Sequence, residues 1–330
     1  MIRATVSLSL VLVLLGSLGC DASPAERIDA GRAGSDASSA EDAGSLYDAG
    51  RPVLGPVVAG AALDGIDRAR DPACPASARW AVGVVGRVLD PRGTPRSGVL
   101  GQSCLLVEGG RSVCLAPEPT DERGVFTIVL GESLRCIREV ALRVVEPHAL
   151  VSTAYATAPA QPDDGVVFAT EDIVVYDLAP ATSLPAIGDA AQSRTVAFTG
   201  AELTVAPEML DEGVYASLSA RVLRDGEAAS ADFLGAGESF AFLATFGPES
   251  RIDGAVPAPF RLVETGLRAG TPVVIFALSG LYTRLPDGTM PREGQWHRLG
   301  EATVGEGGVI ATPPGVGLTE LGWVGVTLGR

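Results

Sequence analysis

Lysine is absent from this 330-residue chain, and histidine occurs only at His148 and His297. The first absence removes the phosphate-cradling Walker loop, whose lysine reaches the β- and γ-phosphates. The second removes the His-Glu-x-x-His zinc site, and no Gly-x-Ser-x-Gly elbow is present to expose a nucleophilic serine. Aromatic residues make up 5% of the chain, fewer than a surface that stacks on sugars displays.

What remains is acidic and rich in small residues. All 25 basic residues are arginine, set against 40 acids, for a net charge of −15. Such a surface repels nucleic acid and anionic lipid head groups, so no nucleic acid partner is expected, and the acidity serves solubility. Forty-one glycines and 23 prolines, among many Val, Ala and Leu, point to short strands joined by tight turns.

Behind Met1-Ile2-Arg3, residues 4–19 carry no charge. A short basic start, an apolar run and small residues at its end make a signal peptide, shorter than the about 20 apolar residues of a membrane span. The run ends Leu14-Leu15-Gly16-Ser17-Leu18-Gly19-Cys20, which resembles the lipobox of bacterial lipoproteins. The resemblance implies removal of residues 1–19, a lipid on Cys20 and a place in the cell envelope. That place is the outer membrane or cell surface, or the periplasmic side of the inner membrane. Ser17 stands where the family usually has Leu, and Asp21 is similar to an inner-membrane retention signal of some bacteria.

From Asp21 to about Pro52 the chain is mostly Asp, Ala, Gly and Ser, with Asp-Ala-Gly at 29–31, 42–44 and 48–50. No apolar face can form there, so residues 20–79 are expected to be a disordered tether leading into an N-terminal arm. A flexible tether of this length spans about 30 Å. Its aspartates lack the Asp-x-Asp-x-Asp-Gly order of a calcium loop.

Residues 80–180 read as a first all-β unit. Val82, Val84 and Gly86-Arg87-Val88-Leu89-Asp90 lead into the turn Pro91-Arg92-Gly93-Thr94-Pro95; later, Phe126, Ile128 and Leu130 share one strand face. No segment holds a 3.6-residue apolar period. Gly86-Arg87-Val88-Leu89-Asp90, Gly93-Thr94-Pro95 and Thr120-Asp121-Glu122-Arg123-Gly124-Val125-Phe126-Thr127-Ile128 resemble the carboxypeptidase regulatory-like domain. That family implies a transthyretin-like β-sandwich and an accessory or binding role. The segment from Leu100 to Pro119 departs from the family pattern.

Residues 190–330 read as a second sandwich. Val214, Ala216, Leu218, Ala220 and Val222 alternate with Tyr215, Ser217, Ser219 and Arg221, which predicts one half-buried strand over 214–222. Phe240-Ala241-Phe242-Leu243 and Val273-Val274-Ile275-Phe276 read as core strands. The tail, with Gly270-Thr271-Pro272-Val273 and the Trp296 and Trp323 strands, resembles Ig-like modules of bacterial surface proteins. The expected fold is therefore two antiparallel β-sandwiches, transthyretin-like then Ig-like, behind a tether.

Beyond Cys20 there are four cysteines, an even number suited to an oxidising compartment. They allow three pairings. A three-residue turn at Glu108-Gly109-Gly110 sets Cys104 opposite Cys114, which leaves Cys74 to join Cys136. The hairpin so closed is the expected contact surface, with Leu105, Leu106, Val107, Arg111 and Val113 as its binding residues.

No catalytic set, metal or cofactor emerges. His148 follows Glu146-Pro147 in a loop, and His297 reads as an exposed strand residue on the face opposite Trp296 and Arg298. Of the acidic pairs Asp163-Asp164, Glu171-Asp172 and Asp211-Glu212, only Asp163-Asp164-Gly165 reads as a loop that could hold calcium. Trp80, Trp296 and Trp323 could stack on sugars, but two cores with few aromatics claim at least the last two. The leading expectation is a non-catalytic, lipid-anchored envelope protein that binds or spaces another envelope protein or a polysaccharide. The alternatives are a secreted hydrolase using loop carboxylates and a calcium-dependent adhesion module. A deep pocket lined by two acids would favour the hydrolase.

Overall fold

The computed structural model describes residues 54–145, 151–157, 165–169, 171–223, 240–285, 288–291 and 293–329. The signal peptide, Cys20 and the Asp-Ala-Gly segment lie outside them, as do His148, Asp163 and Asp164.

The first sandwich is built from β1 (Arg79–Trp80), β2 (Gly83–Leu89), β3 (Leu100–Val107), β4 (Ser112–Cys114), β5 (Glu118–Pro119), β6 (Val125–Val129), β7 (Cys136–Val145), β8 (Ala154–Thr157), β9 (Val166–Phe168) and β10 (Ile173–Val174). One sheet runs β1-β7-β3-β4, with β5 on β3 and β8 on β7; the other runs β10-β2-β6, with β9 on β2. Both β9 and β10 pair with β2 in parallel, so this second sheet is mixed rather than purely antiparallel. Parallel pairing calls for cover on both faces. Val84 and Val88 face the sandwich core, while Val82 and Val85 pack against Leu63 and Ile66 of the N-terminal arm.

The motif residues build turns. Asp121 Oδ1 accepts hydrogen bonds from the amides of Arg123 and Val125, both at 2.9 Å. Gly124 sits at φ +73, and a Cβ there would lie 2.4 Å from the Val88 carbonyl oxygen. Asp90 Oδ1 closes the earlier turn by accepting from Arg92 and Thr94. Asp121 has its pKa lowered: burial opposes this, but the Val125 amide and the Arg123 side chain outweigh it.

The second sandwich holds β11 (Ala179–Pro180), β12 (Arg194–Phe198), β13 (Ala201–Val205), β14 (Ser219–Leu223), β15 (Phe242–Gly247), β16 (Phe260–Leu262), β17 (Pro272–Leu278), β18 (Trp296–Thr303), β19 (Ile310–Ala311) and β20 (Trp323–Leu328). Its sheets run β11-β14-β15-β20-β17-β18 and β12-β13-β16-β19, all antiparallel. Phe198, Phe246 and Phe260 meet at centroid distances of 5.8 and 5.9 Å in its core.

One predicted strand is shorter than expected. Tyr215–Ser217 is a 3-10 turn, and only Ser219–Leu223 is strand. Gly213, at φ +86, bends the chain, and a spacing of three then puts Tyr215 and Leu218 together in the core. The alternation in the sequence is not followed by burial, since Ala216 is exposed while Tyr215 and Ser219 are buried. Tyr215 also donates from its hydroxyl to the Pro185 carbonyl.

Both expected disulfides are present, Cys74–Cys136 and Cys104–Cys114. The register sets Cys104 directly opposite Cys114, and Gly109 and Gly110 take positive φ in the turn between them. Arg70 holds the Cys74 loop by donating to the carbonyls of Cys74, Pro75 and Ala78.

Candidate functional site

The strand parity of the first sandwich decides what its outer face offers. Leu142 and Val144 face the core, so Arg143 between them faces out. Register places Gln102 of β3 and Tyr155 of β8 on either side of it. This outer row is covered by loops of the second sandwich, and Arg143 is only 5% exposed. Its guanidinium donates to Gln102 Oε1 and to Glu249 Oε1, each at 2.7 Å. Glu249, which follows a cis Gly247–Pro248 bond, also accepts from Thr153 Oγ1 at 3.2 Å.

A second carboxyl completes the cluster. Glu320 hydrogen-bonds with Glu249, accepts from Thr283 Oγ1 at 2.6 Å and from the Tyr282 amide at 3.2 Å. Its carboxyl lies flat against Gly280, where a Cβ would come within 2.3 Å of Glu320 Oε1. Burial, and then the neighbouring Glu249, push the Glu320 pKa up to about 7. Burial also raises Glu293, with Arg143 opposing; Glu293 Oε2 is buried and accepts no hydrogen bond among the described residues. Tyr155 is raised well above the ordinary tyrosine value by burial and the surrounding carboxylates. Arg143 is raised too, because Glu249 and Glu293 outweigh the burial that works against its charge.

Beside this polar patch runs an apolar one. Tyr176 meets Trp323 edge-on at 5.6 Å, and Leu223, Leu243 and Leu278 pack around them. Trp323 is 1% exposed and donates from its indole nitrogen to the Thr153 carbonyl at 2.6 Å. The two sandwiches therefore meet through a seam with an oily half and a charged half.

The expected contact hairpin lies differently from the sequence reading. Leu105 and Val107 are core residues, at 1% and 4% exposure, so they are withdrawn from any partner surface. Val113 lies opposite Leu105 and is half-buried; Leu106 is half-buried and Arg111 exposed. The sulfurs of Cys104 and Cys114 lie within 4.8 Å of a Glu293 carboxylate oxygen. Since both sulfurs are spent in a disulfide, the trio offers no thiolate for a metal. The hairpin's sulfur side thus meets a loop of the second sandwich.

A cavity of about 520 Å³ adjoins the seam, walled by Ile252, Leu285, Leu299, Val316, Leu318 and Trp323, with Thr283, Arg284, His297, Arg298 and Glu320 as polar groups. His297 is half-buried on this wall, not exposed, and burial lowers its pKa. Its Nδ1 hydrogen-bonds with Ser279 Oγ at 3.0 Å. Ser279 is fully buried and off the wall, so the pair orients the ring and presents no nucleophile. Trp80 is buried, and Trp296 tilts against Phe240 at 4.5 Å. Asp172 is tied to Arg87 at 2.7 Å, and Asp211 accepts from Ser250.

Arg143, Glu249, Glu293 and Glu320 escaped the sequence reading. For Arg143 and Glu320 the signal was a lone charge inside an apolar run, Val140-Ala141-Leu142-Arg143-Val144-Val145 and Leu318-Thr319-Glu320-Leu321; Glu249 and Glu293 carried no such signal. A buried charge needs a partner.

No protein-family model matches the chain, and no curated protein sequence does. Two crystal structures of BcpA, the major pilin subunit of Bacillus cereus, one of them a variant, align at 12% and 11% identity. They cover 71% and 75% of this chain and 84% and 88% of their own, each with a TM-score of 0.18. Superposition that loose carries no argument about role.

Proposed function

We propose that the folded body is the non-catalytic binding or spacer part of a lipid-anchored envelope protein. In this reading the signal peptide ends at residue 19, Cys20 carries the lipid, and the Asp-Ala-Gly segment is the tether. A sandwich similar to the carboxypeptidase regulatory-like domain and an Ig-like one follow. The partner is another envelope protein or a polysaccharide. Two disulfides support an extracytoplasmic compartment.

The observation that carries the non-catalytic reading is the seam. Four groups with displaced pKa values, Arg143, Tyr155, Glu293 and Glu320, gather where the sandwiches join. Of the carboxyls there, Glu320 alone reaches the cavity wall. The hydrolase alternative draws on that same group, a carboxyl near neutrality beside a second one. Yet hydrogen-bonded carboxyls sit closer than the about 5 Å of a retaining glycosidase pair, and Glu249 is held by Arg143.

The test has two arms. Cys20→Ala should leave membranes or accumulate as precursor in fractionated source cells; unchanged processing and membrane retention would remove the anchor. Purified wild type should turn over no glycan, ester or peptide, and activity lost in Glu320→Gln would establish the hydrolase instead.

A further inference from the structure

Three carboxyl groups, the buried Glu320 and the half-buried Glu249 and Glu293, gather around one buried guanidinium, Arg143. Ionised carboxyls without cations are costly away from water, so the excess is met by protons or by an added positive charge. Glu320 lines the cavity, which gives that charge a route from solvent. Thr283 Oγ1 and the Tyr282 amide already fix its carboxyl, and Gly280 leaves room for it, so the group is held in place before any ligand arrives.

The remaining wall is mostly aliphatic: Leu299 and Val316 are half-buried and Leu318 fully so. Of its two guanidiniums, Arg298 is paired with Glu301. Arg284 is the other, and its charge disfavours a ligand carrying two positive groups.

We propose that this cavity binds a compact aliphatic ammonium ion, with its alkyl body against Leu299, Val316 and Leu318 and its ammonium on the Glu320 carboxyl. The inference deepens the reading of the body as a binder without catalysis and rests on it. The ammonium replaces a proton at Glu320. The titratable and charged groups around that carboxyl are Glu249 and Glu293 from loops on its own side of the seam, Arg143 and Tyr155 across it, and His297, Arg284 and Arg298 on the wall. Burial holds His297 toward its neutral form, which spares the ammonium a third cation.

The experiment is calorimetric titration of the purified protein with n-butylammonium chloride, n-butanol and sodium butyrate, at pH 6, 7 and 8, in buffers of different ionisation heat. Butylammonium should bind at least about tenfold more tightly than butanol at pH 8, because only the cation gains from the carboxylate. With Glu320 titrating at about 7, binding should release roughly half a proton at pH 7 and weaken about tenfold for each unit further down. Glu320→Gln should abolish the preference for the cation. Val316→Trp, which fills the cavity from a loop, should abolish binding altogether and stands as the test if Glu320→Gln fails to fold. Equal binding of butanol, affinity that rises as pH falls, or no binding at all would overturn the proposal. A negative titration leaves the anchored, non-catalytic reading intact. Glu320-dependent hydrolysis of an amide, ester or glycan removes that reading even where butylammonium binds.

Discussion

The two sandwiches solve the same packing problem with different materials. The first holds all four paired cysteines, and the one phenylalanine in its core, Phe126, packs against backbone at Gly86 and Gly101. The second has no cysteine and a larger core in which Phe198, Phe246 and Phe260 touch. Where side chains are small, covalent links restrict the unfolded chain; where rings are buried, packing alone suffices. The seam then makes each depend on the other.

The comparison breaks most sharply at the seam itself. Arg143→Met leaves Glu249 buried without its cation and should cost about 3 to 5 kcal/mol. Denaturant unfolding should show that loss, and adding Glu249→Gln should recover part of it; an additive double variant would mean the pair does not join the sandwiches. Next comes the longer disulfide. Cys74–Cys136 spans 62 residues, and replacing both cysteines by alanine should cost about 4 kcal/mol on the loop-entropy scale. Hydrogen exchange followed peptide by peptide should place the first loss of protection in residues 79–174, with the Phe246 core following.

A third effect depends on pH. Glu320 has a folded pKa of about 7 against an ordinary 4.5, so the unfolded chain loses its proton first. The stability linked to its protonation is fully present below pH 4.5 and is lost as pH rises toward 7, about 3 kcal/mol in all. Glu293 acts with the same sign, whereas the lowered pKa of His297 costs stability only as pH falls below 6.5. Melting temperatures at pH 5 and 8 should therefore converge in Glu320→Gln, and that variant should exceed wild type at pH 8. The smallest effect sharpens the view of the first sandwich as turn-built. Asp121→Ala removes a carboxylate that accepts from two backbone amides and should cost about 1 kcal/mol by calorimetry.

Much of the architecture was legible because its signals are local. The hairpin turn at Glu108-Gly109-Gly110 is enough to align Cys104 with Cys114, and the remaining pair follows. Alternation also carries the fact that Leu105 and Val107 share the core face, since Cys104 and Leu106 take the other. Reading five residues of that hairpin as one surface ignored this parity. The strand over 214–222 failed for a related reason: two-residue and three-residue periods agree over a few positions, and Gly213 decides between them. The seam was not legible. Arg143 and Glu249 are 106 residues apart, and nothing local tells a strand that its polar face will be covered.

The cysteine pair Cys74–Cys136 also has a mechanical meaning. Tension entering the folded body from its N-terminal side would load β1 first, a two-residue strand that peels easily. The disulfide diverts that load into Cys136, the first residue of β7, which is flanked by β3 and β8 in the middle of its sheet. From β7 the load passes through Arg143 to Glu249 and so into the second sandwich. A pull from that side thus reaches a central strand before it reaches the seam, where the ion pair shares it with the apolar contacts around Trp323.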